Sequence, residues 1–238
     1  MRREEGADPV ETTVARPKAY KGLPMEGIVA RRSAKLRRSG RQKGEWRKQA
    51  VQLTAGLPDG ARILEVAPGP GYFAIEMARL GRFYVTGLDI SHTFVEIARD
   101  NARQAGVSVD FELGDAARMS FPDGSFDFVV CQAAFKNFSR PGPAIDEMYR
   151  VLRPGGTALI QDMRRDASDA GIRDEVDAMQ LGWFGSFMTR RILRGLRRRA
   201  YSTEQFEQMA AGSAFGGGQV APNGIGVDVR MTKRSRTA

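Results

Sequence analysis

The chain has 238 residues, of which 42% are hydrophobic and 27% are charged, so it can bury a sizeable core and suits one main domain. No stretch approaches the roughly 20 uninterrupted apolar residues of a membrane helix, and the arginine-rich start lacks the apolar core of a secretory signal, so we expect a cytoplasmic protein. A single cysteine excludes an internal disulfide framework, and a single histidine argues against a conventional zinc site, so no metal is expected.

The net charge of +9 is concentrated in the flanks of the chain. Residues 1–50 contain 14 basic and 6 acidic side chains, and residues 163–238 contain 13 and 8. Residues 51–162 instead contain 10 basic and 14 acidic side chains. The middle of the chain is therefore a mildly acidic domain, and any electrostatic attraction to a partner belongs to the flanking segments.

Strand-like and helix-like hydrophobic periods alternate from residue 61 onward. The predicted elements are strands at 62–66, 83–88, 107–113, 126–131 and 157–161, and helices at 72–80, from Ser91 to Gly106, and from about Pro143 to Leu152. Ser91 and Gly106 are typical helix caps, and Pro143 suits a first helical turn. Five strands with intervening helices predict a parallel sheet that is covered on both faces.

The C-terminal part of the chain has a different pattern. Two short β-prone runs flank Pro222, Asn223 and Gly224, a strong turn signal. This pattern predicts an antiparallel hairpin that closes one edge of the sheet.

Glycines interrupt the chain between the first predicted strand and the first predicted helix. Without side chains at Gly69 and Gly71, the backbone can approach a ligand that faces the helix N-terminus. The run from Gly69 to Ala74 matches a relaxed dinucleotide fingerprint, and Asp89 follows about 20 residues later, where a carboxylate can accept both hydroxyls of a ribose. A tight turn without a ligand would explain the same local residues.

Four runs in chain order distinguish between cofactors. LEVAPGPG at 64–71 resembles the first motif of the class I S-adenosylmethionine-dependent methyltransferases, in which an acidic residue, here Glu65, precedes the glycine loop. VTGLDIS at 85–91, LGDAARMSFPDGSFDFVV at 113–130 and EMYRVLRPGGTALI at 147–160 resemble that family's second acidic site, its adenine-binding turn with the fourth strand, and its fifth strand. The resemblance covers about residues 50–162.

The resemblance implies an α/β fold: a Rossmann-like, doubly wound, mostly parallel seven-stranded sheet with an antiparallel C-terminal hairpin strand, plus helical lid segments. The expected segments are a disordered basic arm at 1–18, an N-terminal helical cap at 19–50, a cofactor-binding core at 51–162, a helical lid at 163–200, and a helix with the closing hairpin at 201–238. The N-terminal segment is also a candidate for contacts between subunits.

S-adenosylmethionine is the cofactor that the resemblance implies. Glu65 would polarise its methionine amino group, Asp89 would hold the ribose hydroxyls, and Asp115 would accept from the adenine amino group. The implied binding residues are Glu65, Ala67, Pro68, Gly69, Gly71, Asp89, Ile90, Gly114, Asp115, Ala116, Cys131 and Gln132. Ala67 departs from the family's usual glycine. A turn former at Asp115 and a solvated strand end at Glu65 are the alternatives.

The run CQAAFKNFSRP at 131–141 occupies the position that faces the transferable methyl group in the resembled fold. It lacks the Asn/Asp-Pro-Pro-aromatic signature of DNA amino methyltransferases and the proline of cytosine-5 enzymes, so Cys131 is interpreted as a packing residue. Phe135 could shield the sulfonium, and Lys136 could bind an acidic substrate, unless they are lid or surface residues. No catalytic residue is assigned, because transfer of an activated methyl group does not require a base.

Substrate choice is expected to lie in the appendages. A helix from Gly182 to Arg199 would be an amphipathic lid packed on the domain. Along it, Phe184, Met188, Ile192 and Leu196 repeat every four residues, and Arg190, Arg194, Arg197 and Arg198 cluster on another face. With Arg31, Arg32, Arg37 and Arg38, these arginines could instead attract an anionic substrate, a membrane surface or RNA. The candidate apolar walls of a substrate pocket are Tyr20, Met25, Trp183 and Phe187.

The sequence therefore predicts an S-adenosylmethionine-dependent methyltransferase that acts on an O, N or C nucleophile of a small molecule, anionic or aromatic, in secondary metabolism. An RNA or protein methyltransferase that docks through the basic flanks is one alternative. A protein that keeps the cofactor pocket without methylating is another. An NAD-dependent oxidoreductase is disfavoured because Tyr149 is followed four residues later by Arg153 instead of lysine.

Overall fold

A computed structural model describes residues 20–21, 25–36 and 40–235. The predicted arm at 1–18, Arg37 and Arg38 lie outside the described residues. The described helices are α1 (Gly27–Leu36), α2 (Gly40–Thr54), α3 (Tyr72–Ala78), α4 (His92–Ala105), α5 (Pro141–Val151), α6 (Asp169–Ala178), α7 (Trp183–Arg197) and α8 (Thr203–Ala211), with a short 3-10 helix at Phe135–Asn137. The strands are β1 (Arg62–Val66), β2 (Tyr84–Asp89), β3 (Asp110–Leu113), β4 (Phe126–Gln132), β5 (Leu152–Met163), β6 (Gln219–Asn223) and β7 (Gly226–Thr232).

Within the described residues, the strands form one sheet of seven in the order β3-β2-β1-β4-β5-β7-β6. Strands β1 to β5 are parallel, β7 is antiparallel to β5, and β6 is antiparallel to β7. The predicted mostly parallel sheet and its closing hairpin are confirmed. The strand order reverses at β1, which lies between β2 and β4, and open α/β sheets bind ligands in the crevice outside the carboxyl ends of such strands.

Apolar side chains cover both faces of the sheet. Along β1, Leu64 and Val66 belong to the core cluster under α5 and α8, whereas Ile63 belongs to the cluster under α2, α3 and α4. All three side chains are buried, as expected for a central parallel strand with helices on both sides. The predicted boundary between cap and core at residue 50 falls inside α2.

The caps of α4 are as predicted. Ser91 Oγ accepts a hydrogen bond from Phe94 N at 3.1 Å, and Gly106 ends the helix in the left-handed conformation. The predicted assignment of Leu152 to α5 is wrong, because Leu152 pairs with Phe126 of β4 and begins β5. The pairing then shifts, and Arg153–Gly156 bulge out of the strand.

The helices α6 and α7 leave the sheet after the carboxyl end of β5 and pack against each other. The expected packing of the apolar side of α7 on the domain is wrong for Phe184, Met188 and Ile192, which are exposed, whereas Leu196 is half-buried. Within residues 20–21, 25–36 and 40–235, no helix has both the length and the apolar character needed to span a bilayer.

Candidate active site

A cavity of about 370 Å³ lies at the carboxyl ends of β1, β2 and β4. Its wall is formed by Tyr20, Met25, Glu26, Val66, Ala67, Gly69, Leu88, Asp89, Ile90, Ser91, Phe94, Gly114, Asp115, Ala116, Ala117, Gln132, Ala133, Ala134, Asn137, Phe138, Arg140 and Ala144. The predicted residues Ala67, Gly69, Asp89, Ile90, Gly114, Asp115, Ala116, Gln132, Tyr20 and Met25 are among them. The topology thus brings together residues that lie more than a hundred positions apart.

The glycine loop needs left-handed backbone at three positions. Ala67, Gly69 and Gly71 have φ values of 58°, 55° and 76°. A Cβ on Gly69 would enter open space beside the cavity, whereas a Cβ on Gly71 would lie 2.6 Å from Cζ of Phe111. Gly69 therefore leaves room for a ligand, and Gly71 lets α3 approach the sheet. Pro68 and Gly71 are not among the lining residues.

Asp89 is held in place by backbone amides. Its Oδ2 accepts from Gly69 N and its Oδ1 from Ser91 N, each at 2.9 Å. Burial raises the pKa of Asp89, and this effect outweighs the lowering by those two N–H groups. Each carboxylate oxygen keeps a further lone pair, so Asp89 can accept two more hydrogen bonds from a bound diol.

Asp115 lies on the same cavity and is paired with an arginine that the sequence analysis missed. Its Oδ1 accepts from Ala117 N at 2.8 Å, and its Oδ2 accepts from Arg140 Nη2 at 2.5 Å. Arg140 precedes α5, and its Nε is buried without a hydrogen-bond partner in the part of the chain that the structure describes. No local motif marks Arg140, because the contact joins residues 25 positions apart.

Glu65 is buried next to the lining residue Val66, and it is not itself among the lining residues. Burial raises its pKa to about 8, opposed by the N–H of Ala74 and assisted by the charge of Asp89. Its Oε2 has no hydrogen-bond partner among the described residues. An orphaned acid oxygen at this position fits a ligand that carries an ammonium group. The alternative of a solvated strand end is therefore wrong.

The segment from Met25 to Glu26 closes one side of the cavity, and Glu26 was also missed. Glu26 Oε1 accepts from His92 N at 2.9 Å, and Oε2 accepts from Thr93 N at 3.1 Å and from Thr93 Oγ1 at 2.6 Å. Burial raises the pKa of Glu26, but these hydrogen bonds lower it more, so the net pKa lies below its ordinary value. Ser91 Oγ donates to the Met25 carbonyl at 2.6 Å. One sequence feature could have singled out Glu26, because it is the sole acidic residue between positions 12 and 44 of the basic N-terminal flank.

Tyr20 lines the cavity next to the turn after β4. Tyr20 forms an antiparallel bridge with Phe138, and Lys21 N donates to the Asn137 carbonyl at 2.7 Å. Tyr20 and Lys21 thus contact the turn after β4, and Met25 contacts the start of α4.

The suggestion that Lys136 binds an acidic substrate is wrong, because its side chain forms a buried ion pair. Its Nζ lies 2.8 Å from Asp162 Oδ1 and donates to the Ala133 carbonyl at 2.5 Å. Its backbone N–H donates to Asp162 Oδ2 at 2.7 Å. Lys136 thus fixes the turn whose residues Ala133 and Asn137 line the cavity.

Four other predicted residues also lie away from the cavity wall. Phe135 is fully buried among Phe138, Tyr201 and Phe206. Cys131 is buried in β4, and burial raises the pKa of its thiol well above the ordinary value. Trp183 and Phe187 are exposed on α7. We therefore assign Phe135, Trp183 and Phe187 to no substrate and Cys131 to no cofactor contact.

Comparisons with known proteins agree with the sequence motifs. Residues 64–160 match the family described as a methyltransferase domain. A demethylmenaquinone methyltransferase of Deinococcus radiodurans is 38% identical over 125 residues, which are 52% of this chain and 51% of that protein. A ubiquinone/menaquinone biosynthesis C-methyltransferase of Bdellovibrio bacteriovorus is 36% identical over 118 residues, which are 48% of this chain and 49% of that protein. The chain spans about half the length of the curated relatives it matches.

Solved structures agree on the fold. A protein of Methanococcus maripaludis that is assigned as an S-adenosyl-L-methionine-dependent methyltransferase superposes with a TM-score of 0.74. The superposition covers 92% of this chain and 98% of that chain, at 17% sequence identity. At this identity the likeness shows a shared fold and no more.

Proposed function

We propose that this chain is a class I, Rossmann-like methyltransferase that transfers a methyl group from S-adenosylmethionine to a small molecule, and the match of residues 64–160 to a methyltransferase domain supports this. One observation carries the proposal: Asp89 and Asp115 lie on a single cavity at the strand-order reversal, next to a glycine loop that leaves room for a ligand. An acid at the end of β2 suits a ribose, and an acid in the turn after β3 suits an exocyclic amine.

The residues present fit this cofactor. Asp89 would accept from the two ribose hydroxyls, Asp115 and the Ala116 amide would hold the adenine, and Glu65 would accept a hydrogen bond from the ammonium group. Ile90 lines the cavity and offers an apolar surface to the base. When bound, S-adenosylmethionine supplies a methyl group that is already activated on a sulfonium. The chain itself then aligns the acceptor, and Tyr20 and Met25 in the cavity wall exclude water.

We further propose that the acceptor is a ring carbon of a reduced quinone. The names of the two relatives support a quinone and, for one of them, transfer to carbon. The cavity wall next to the cofactor residues supports an aromatic acceptor, because Tyr20, Ala134 and Phe138 are apolar and Asn137 offers an amide to a ring oxygen. An anionic acceptor has less support, since Lys136 is already paired and Arg140 already holds Asp115.

Transfer of a labelled methyl group tests the function directly. We expect label from S-adenosylmethionine in the ring of a short-chain 2-prenyl-1,4-naphthoquinol, and none in the oxidised quinone, whose ring carbon is electron-poor. Label in RNA or protein and none in any quinol would overturn the acceptor assignment. Failure to bind S-adenosylmethionine in calorimetry, with NAD as the comparison ligand, would overturn the whole proposal.

Replacing Asp89 with alanine tests the ribose assignment. The variant should bind S-adenosylmethionine about 1 to 3 kcal/mol more weakly, because charge-assisted hydrogen bonds to the hydroxyls are lost. Isothermal titration calorimetry gives the affinity, and a thermal melt of each variant separates weaker binding from loss of fold. Asp100→Ala is the matched control, because Asp100 lies on the exposed side of α4 and pairs with Arg103. Equal affinities for the two variants would refute the assignment.

A further inference from the structure

The helix α7 exposes large apolar side chains that an ordinary surface helix would bury. Trp183, Phe184 and Phe187 are 83%, 61% and 58% exposed, and Met188 and Ile192 are exposed as well. These five side chains lie along one side of the helix by their spacing. A soluble helix normally turns its apolar side toward the core and its polar side toward water. We call these five residues the outer face of α7.

The opposite side of α7 carries the half-buried Leu193 and Leu196 and is also held by charges. Arg190 Nη2 lies 2.7 Å from Asp177 Oδ1 of α6, and Arg197 Nη1 lies 3.0 Å from Asp169 Oδ1. Arg197 Nη1 also donates to the Ala167 carbonyl at 2.8 Å. These polar contacts and the half-buried leucines together fix the helix with its aromatic side outward.

Positive charge continues the outer face toward the C-terminal end of the helix. Arg191, Arg198 and Arg199 are exposed and form no ion pair with a described residue. The sequence of α7 contains no acidic residue. The surface thus combines aromatic and aliphatic side chains with unpaired guanidinium groups, as expected for helices that lie in a bilayer interface.

We propose that the outer face of α7 docks on the surface of a lipid bilayer that contains anionic lipids. A bilayer supplies both an apolar layer for the aromatic side chains and negative headgroups for the arginines. A second copy of this helix supplies no carboxylate for them, since α7 has none. RNA supplies phosphates but gives no reason to expose Met188 and Ile192. Charge complementarity and apolar character together therefore favour the bilayer.

The position of α7 gives this docking a consequence for the cavity. The helices α6 and α7 follow the carboxyl end of β5, and the cavity also lies at the carboxyl ends of the strands. Shortly after α7, Tyr201 accepts a hydrogen bond from Lys21 Nζ at 2.5 Å, and the neighbouring Tyr20 lines the cavity. Tyr201, Lys21 and Tyr20 thus link the end of α7 to the cavity wall. A bilayer bound at α7 would place an acceptor dissolved in lipid near the cavity.

Vesicle binding by the full chain tests the docking without any turnover. We expect co-sedimentation with vesicles of phosphatidylcholine and phosphatidylglycerol at 7:3, and at least about 10-fold weaker binding to pure phosphatidylcholine or at high salt. The triple variant Trp183→Ser/Phe184→Ser/Phe187→Ser should lose about 10-fold or more in binding, since its apolar anchors are removed. Tyr84→Ser is the matched control, because Tyr84 is an exposed aromatic residue at the amino end of β2, whereas α7 follows the carboxyl end of β5.

Four outcomes would overturn the docking. The first is that the wild-type chain does not bind the anionic vesicles, and the second is that the triple variant binds them equally well. The third is that Tyr84→Ser loses as much binding as the triple variant. The fourth is that the wild-type chain is oligomeric, the triple variant is monomeric, and neither binds vesicles. The docking does not rest on the proposed function. Binding of S-adenosylmethionine and methylation of a short-chain quinol, both measured without vesicles in the same preparations, report that function separately.

Discussion

Replacing Lys136 with methionine is expected to lower the free energy of unfolding by about 3 to 5 kcal/mol, because it leaves a buried carboxylate without its cation. The side chains of Lys136 and Asp162 are 6% and 0% exposed. Methionine keeps the length of the apolar stem of lysine, so the change removes mainly the ammonium group and its hydrogen bonds to Asp162 and Ala133. The backbone N–H groups of Lys136 and Met163 would still donate to Asp162.

Urea unfolding at pH 7 measures this effect as a shift of the midpoint at constant slope. Lys48→Met is the matched control, because Lys48 pairs with Glu45 at 3.1 Å on the surface, where such pairs contribute about 0 to 1 kcal/mol. The double variant Lys136→Met/Asp162→Asn should recover much of the loss, since the buried charge is then gone. Similar losses for Lys136→Met and Lys48→Met would contradict the assignment of a buried, structural ion pair.

The same substitution has a consequence for the cavity. Lys136 Nζ holds the Ala133 carbonyl, and Ala133 adopts a left-handed φ of 53° that a residue with a side chain rarely takes. Without this contact, the turn from Ala133 to Asn137 loses a restraint on the cavity wall. Lys136 is therefore a positioning residue rather than a substrate ligand.

The stability of the wild-type chain is expected to fall by about 2 to 4 kcal/mol relative to a Glu65→Gln variant between pH 5 and pH 8. The folded protein raises the pKa of Glu65 from 4.5 to about 8, chiefly by burial. Between these two values the folded state retains a proton that the unfolded state releases, so a rise in pH favours unfolding. The stabilising contribution is fully present below pH 4.5 and is lost as the pH approaches 8.

Urea midpoints of the two proteins at pH 5, 6.5 and 8 measure the difference. Glutamine keeps the shape of protonated glutamate and cannot ionise, so other titrating groups cancel in the comparison. Glu45→Gln controls for the substitution at an exposed site. Parallel stability curves for the wild-type chain and Glu65→Gln would show that Glu65 does not retain its proton in the folded state.

Local chemistry determined the central elements of the fold. The burial pattern of residues 62–66, the cap at Ser91 and the stop at Gly106 depend on neighbours within a few positions, and β1 and α4 are found as predicted. Where a boundary depended on a distant partner, the prediction failed. Leu152 extends the hydrophobic period of α5 but takes strand conformation because Phe126 pairs with it.

The sequence also indicated the carboxylates of the site, because the fingerprint spacing singled out Asp89 and the resemblance to the methyltransferase motifs implied Asp115. Their roles as cofactor ligands stay predictions. Only the tertiary structure showed which distant residues join the predicted site residues and which predicted site residues are occupied by other contacts. It brought Glu26 and Arg140 to the cavity, paired Lys136 with Asp162, and turned the aromatic side of α7 outward. A periodic pattern states that a helix has two faces, but only the contacts of the opposite face decide which one meets water.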